Sequence, residues 1–208
     1  MKSLVTLTAL VAATISSAGA SVVQYNTNGS AFSNTTATLS SSSNGANTVL
    51  SVTTGTASIT LSYAGPGAPP TADVIVNSPT NISYGFFDLN FSGTGTVNVP
   101  MFTFTVKVND VTNGLTGSFV GTSAPATVTS LQSTINIFDS PLTFTLGADV
   151  FNINSPTPIV AQTTLQGQSS IQGQVLSNAV PEPGTMLMMG AGLLGVAFTA
   201  RKKFANRS

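Results

Sequence analysis

The sequence predicts an all-β protein: a single β-sandwich or jelly-roll-like domain, between an N-terminal signal peptide and a C-terminal transmembrane helix. Three observations carry this. The interior of the chain is rich in Ser, Thr, Asn and Val, which suit a pleated, half-buried surface. Glu, Lys and Arg, the usual helix formers of a surface, are almost missing there. Several segments alternate apolar and polar residues with the period of two that places one set on each face of a strand.

Residues 1–20 read as the signal peptide. Lys2 is its positive start, Leu4 to Ile15 its apolar stretch, and Ala18-Gly19-Ala20 its small-residue cleavage site, with Ser21 as the first mature residue. The expected β-domain follows from 21 to 165. Ala57, Ile59, Leu61 and Tyr63 share one strand face against Ser58, Thr60 and Ser62. Phe87, Leu89 and Phe91 alternate with Asp88 and Asn90. Phe102, Phe104, Val106 and Val108 alternate with Thr103, Thr105, Lys107 and Asn109, the clearest run of all. Leu142, Phe144 and Leu146 form another with Thr143 and Thr145.

Turn chemistry falls between these runs. Asn113-Gly114 suits a hairpin because both residues tolerate positive φ. Gly65 to Pro70 and Ser155 to Pro158 are loops that interrupt a sheet. Between ten and twelve short strands are expected, at the spacing of a sandwich. Ser30 to Asn47 is weakly patterned, with room for an edge strand and a loop. Gln162 to Asn178, with Ile171 and Val175 amid Gln, Ser and Gly, reads as a last strand running into a flexible spacer, and residues 166–179 are assigned to that polar spacer.

The composition excludes several kinds of chemistry. The chain has no Cys, Trp or His, and only 6% of its residues are charged. A Ser-His-Asp triad, a thiol nucleophile, a disulfide and a Cys/His zinc site are therefore all excluded. Lys and Arg balance Asp and Glu six to six, but the charge is sorted along the chain. Residues 21–178 hold Lys107 against Asp73, Asp88, Asp110, Asp139 and Asp149, one against five, a net of −4. No basic footprint for nucleic acid remains. Asp88 and Asp110 lie near strands, but nothing in the sequence brings them together as a catalytic pair, and Asn109-Asp110 reads as turn chemistry. No calcium-loop motif occurs. Sugar binding would draw on Tyr25, Tyr63 and Tyr84, the only residues that pair an aromatic face with a polar tip. The expectation is a protein without catalytic activity, cofactor or metal.

The C-terminus is organised differently. Val180-Pro181-Glu182-Pro183 precedes an uncharged apolar segment, residues 184–200, and then a basic tail, residues 201–208, led by Arg201, Lys202 and Lys203. Gly184, Leu187, Gly190, Gly192, Leu193, Leu194, Gly195 and Ala200 mark the apolar segment. Seventeen residues make a helix of roughly 25 Å at 1.5 Å per residue, near the ~30 Å of a hydrocarbon core. The basic cluster would stay in the cytoplasm as a stop signal.

This order resembles the PEP-CTERM sorting signal of Gram-negative bacteria over residues 180–208. The resemblance implies recognition by an exosortase-type membrane enzyme, with a stay at the inner membrane before processing. It further implies delivery to the cell surface or matrix and an association with exopolysaccharide and biofilm. A carbohydrate-binding or adhesin module held by a single-pass helix is the alternative for the body.

Overall fold

The computed structural model describes residues 21–42, 45–129, 133–138, 141–154, 157–161, 167–177 and 189–196. Residues 20–178 form one compact unit. Its strands are β1 (Ser21–Asn26), β2 (Ala31–Ser33), β3 (Thr38–Ser41), β4 (Asn47–Thr54), β5 (Ala57–Ala64), β6 (Val74–Ser78), β7 (Thr80–Ser92) and β8 (Thr96–Val99). They continue with β9 (Thr103–Asp110), β10 (Leu115–Thr122), β11 (Ala126–Thr129), β12 (Ser133–Ile137), β13 (Leu142–Leu146), β14 (Asp149–Ile153), β15 (Thr157–Ala161) and β16 (Gly167–Ser177). Among the described residues sixteen strands thus stand where ten to twelve were expected, because several of them are only three to five residues long.

All pairings among these strands are antiparallel. The larger sheet has seven strands in the order β13-β14-β16-β7-β5-β4-β3. The smaller runs β10-β9-β1-β6, with β2 also on β9. Two further pairs, β8 with β11 and β12 with β15, stand apart from these paths. The four alternating runs behave as their pattern requires. Leu50, Leu61 and Leu89 pair across β4, β5 and β7, and all are fully buried. Phe104, Val106 and Val108 point inward from β9 while Lys107 points out.

The sheets face one another across an aromatic core. The Phe104 ring on the smaller sheet lies 4.8 Å from Tyr63 and 4.9 Å from Phe87 on the larger, and 4.6 Å from its own strand neighbour Phe32. A second group links Tyr25 to Tyr84 and Phe151, at 6.3 and 6.2 Å, both across the sheets. Phe119 on β10 meets Phe144 on β13 at 4.4 Å, so the edges of the two sheets also touch. Burying these rings supplies most of what a chain with so few charges has to stabilise it.

Two local differences from expectation have clear causes. The Asn113-Gly114 hairpin is confirmed between β9 and β10, but its loop has four residues. Leu115 pairs with Asp110, and the Asp110 carboxylate accepts from the Asn113 backbone N–H at 3.1 Å. Only Gly114 takes positive φ, 66°. The second difference is larger. Where a polar spacer is expected over 166–179, residues 167–177 form β16, paired to β14 on one side and β7 on the other. The domain therefore ends at Ser177, not at 165. Ile171 and Val175 are fully buried, while Gln168, Ser170, Gln172 and Leu176 face outward. A strand with one polar face needs little apolar sequence. Gly173 is part of the reason. A Cβ there would collide with the Asn152 carbonyl and the Tyr84 ring.

Candidate functional site

The C-terminal signal begins immediately after β16. Of its residues, 189–196 are described, and they form a helix, α1. Met189, Leu193 and Leu194 on it are 44, 57 and 62% exposed, an open apolar surface. Gly190, Gly192 and Gly195 have open space where a Cβ would stand. They keep this part of the helix thin, and packing does not demand them. Among the described residues no helix is long and apolar enough to cross a membrane. The expected transmembrane helix over 184–200 therefore rests on sequence. Val180, Pro181, Glu182, Pro183, Gly184, Leu187, Ala200, Arg201, Lys202 and Lys203 lie outside the described residues, as do Ala18 and Ala20 at the expected signal-peptide cleavage site. Ser21, the expected first mature residue, opens β1 and pairs with Ser78.

In the body, the four described aspartates each make side-chain hydrogen bonds within the fold, although the buried Oδ1 of Asp88 has no partner. Asp88 on β7 of the larger sheet accepts from Asn90 Nδ2 at 3.3 Å. Asp110, at the end of β9, is buried between the sheets, whereas Asp88 points to the outer face between the inward-facing Phe87 and Leu89, so the two are not a pair. Asp73 accepts from Gln24 Nε2 at 2.8 Å and from Asn26 Nδ2 at 2.6 Å. Asn109 joins the same network by donating to Asn26 Oδ1 at 2.7 Å.

The juxtaposition that sequence reasoning missed is Asp110 with Asp149. The two carboxylates come from opposite sheets and are 1 and 2% exposed. One amide group bridges them. Asn113 Nδ2 donates to Asp110 Oδ2 at 2.7 Å and to Asp149 Oδ2 at 2.8 Å. Burial raises the Asp149 pKa above the usual carboxylate range. A hydrogen bond from Ser177 opposes this, and the neighbouring Asp110 raises it further. No sequence signal could have joined residues this far apart in the chain. Among the described residues no three of His, Cys, Asp and Glu gather as a metal site would require.

The tyrosines are not a sugar platform. Tyr25, Tyr63 and Tyr84 are at most 1% exposed. Each hydroxyl reaches a backbone carbonyl: Tyr25 that of Ser83 at 2.8 Å, Tyr84 that of Asn152 at 2.9 Å, and Tyr63 that of Tyr84. Burial pushes the Tyr63 hydroxyl up to about 12 and raises the other two as well. These side chains fasten the core.

No curated protein and no solved structure matches the chain. Residues 179–203 match the family model of the PEP-CTERM protein-sorting motif. The match contains Val180 to Pro183, the whole apolar segment and the first three basic residues. The chain thus carries, directly behind a β-sheet domain, the signal by which an exported protein is sorted through an exosortase-type membrane enzyme.

Proposed function

We propose that this is a surface or extracellular-matrix protein of a Gram-negative bacterium. Its β-domain is delivered as cargo and has no catalytic activity of its own. Residues 1–20 direct export and are removed before Ser21. Residues 184–200 hold the chain in the inner membrane, with Arg201, Lys202 and Lys203 on the cytoplasmic side. The exosortase-type enzyme then processes it at or near Pro181-Glu182-Pro183, and the domain passes to a matrix rich in exopolysaccharide.

The sorting motif over 179–203 is the observation that carries this reading. The body supports it in a second way. Its buried carboxylates are committed to cross-sheet hydrogen bonds, and its tyrosines to the core, so association with polysaccharide would follow from location and not from aromatic stacking. Mass spectrometry of the mature protein from its own host, with and without the exosortase gene, tests the proposal. The expected result is loss of the residues beyond the motif in the parent strain alone. An intact C-terminus through Ser208 in both strains would leave only an ordinary anchor.

A further inference from the structure

The terminal strands of the two main sheets are β10 and β6 in the smaller and β13 and β3 in the larger. A terminal strand leaves a row of backbone N–H and C=O groups unpaired, a template for another chain unless the fold guards it. Three of the four are guarded. β10 and β13 close on each other: the Phe119 and Phe144 rings lie 4.4 Å apart, and Gly117 leaves room for the Phe144 ring. β3 has only four residues, and a bulge against β4 interrupts it between Ser40 and Ser41.

β6 has none of these guards. Its five residues, Val-Ile-Val-Asn-Ser, carry no charge and pair with β1 in unbroken register, from Ser78 with Ser21 to Val74 with Tyr25. Among the described residues no strand pairs with its other side. On the inner face Val23 and Tyr25 of β1 are 0 and 1% exposed, whereas Val74 and Val76 beside them stay partly open. On the outer face Ile75 is 66% exposed, the most of any large apolar side chain among the described residues. Val22, 52% exposed, stands diagonal to it on the same face. Asp73 is exposed just before the strand, with its carboxylate held by Gln24 and Asn26.

We propose that β6 pairs with β6 of a second copy of this chain, antiparallel about a two-fold axis at Ile75, so that two smaller sheets become one across a dimer. Directly opposite residues of an antiparallel pair share a face, so self-pairing shifts only in steps that keep each face on itself. The register centred on Ile75 sets each Ile75 against its copy, Val74 against the copy's Val76, and Asp73 against the copy's Asn77. It buries the most exposed aliphatic side chain of the domain and covers the open flanks of both valines. Each Asp73 carboxylate gains an amide to accept from. The two carboxylates stay four residues apart, about 13 Å at ~3.3 Å per residue, beyond the ~8 Å screening length of physiological salt. A register centred on Val76 would face Ile75 with Asn77 instead. The two-fold closes the assembly at two copies, since it uses up the one unguarded edge. So short an edge falls below the ~1,200 Å² of a stable interface, and the expected Kd is about 10–1000 µM.

The native chain has no Cys, so introduced thiols report only their own positions. Full chains in mild detergent, at about 100 µM to match so weak a contact, are mixed under mild oxidation. Asp73→Cys and Asn77→Cys chains are expected to link to each other roughly tenfold more than either links to itself, because opposite residues bring their Cα atoms to ~4.5–5.5 Å, within disulfide reach. Asn90→Cys, exposed on the outer face of the larger sheet, is the control and is expected to give background linkage only. Adding Ile75→Lys to both chains places like charges opposite each other. It is expected to return the link to background, with the near-UV circular dichroism of the buried tyrosines unchanged. Equal linkage in mixed and single chains, or a link that survives Ile75→Lys, would overturn the pairing. Linkage of the Asn77→Cys chain to a different host protein, and not to the Asp73→Cys chain, would assign the edge to another partner and overturn it equally.

Discussion

Asp149→Asn is expected to make the domain more stable at neutral pH and to flatten its dependence on pH. In the parent, Asp110 and Asp149 accept hydrogen bonds from the same nitrogen at 2.7 and 2.8 Å, across the two sheets. The two carboxyl groups are close enough to share a hydrogen bond, and even at the ~5.5 Å ceiling set by their common donor two unit charges repel by roughly 3 kcal/mol at an effective dielectric of 20. Lys107, the single lysine of the body, does not offset them, because its side chain runs to Gly29 on the outer face. The fold answers by holding Asp149 protonated to a higher pH than an unfolded chain would.

The sign follows from proton binding. Between the unfolded carboxylate range, about 4, and the raised folded value, the native state binds more protons than the unfolded state. Stability is thus fully present at the acid end of that window and is lost as pH rises through it. The substituted amide has no proton to lose, and it can donate to Asp110. The gain at pH 7–8 is expected to be about 1–3 kcal/mol, bounded above by the repulsion it relieves. Urea unfolding followed by near-UV circular dichroism of the buried tyrosines, at pH 4 and pH 8, measures both proteins. Parallel pH profiles for parent and variant would refute the coupling. So would an Asp149→Asn variant that is less stable at both pH values.

Phe104→Ala removes the ring that touches Phe32, Tyr63 and Phe87, and a loss of about 3–5 kcal/mol is expected in the same unfolding assay. Gly173→Ala pushes a methyl group into the Asn152 carbonyl and the Tyr84 ring, and is expected to cost at least about 1–3 kcal/mol, read as a lower urea midpoint. Tyr63→Phe leaves the Tyr84 carbonyl without its hydroxyl donor, for a loss of about 1–3 kcal/mol. Absorbance at alkaline pH checks the tyrosines together. Since all three are raised, stability is expected to fall as pH climbs from the ordinary phenol value, about 10, and phenolate to appear only with unfolding.

What was legible in the sequence follows from where each interaction is encoded. The β5 and β9 strands were plain because alternation is local: Ala57 to Tyr63 and Phe102 to Val108 show their buried faces at every second residue. β16 was harder to see because a central strand with a polar outer face contributes only Ile171 and Val175 to the core, and Gly173 serves it by what it lacks. The Asp110–Asp149 bridge was invisible because it depends on which hairpins the two sheets bring together. The sorting signal is a contiguous address, recognisable without any fold. The strand hidden in the expected spacer changes how address and cargo relate. Only residues 178–180 lie between a strand in the middle of the larger sheet and Pro181-Glu182-Pro183. A processing enzyme working at that motif must accept a folded sheet within about 10 Å of its substrate bond, or act before β16 has joined its neighbours. Inserting a flexible Gly-Ser segment after Ser177 separates these routes. If the folded domain crowds the enzyme, processing in the host is expected to quicken with added length. If cleavage precedes the docking of β16, its rate is expected not to change.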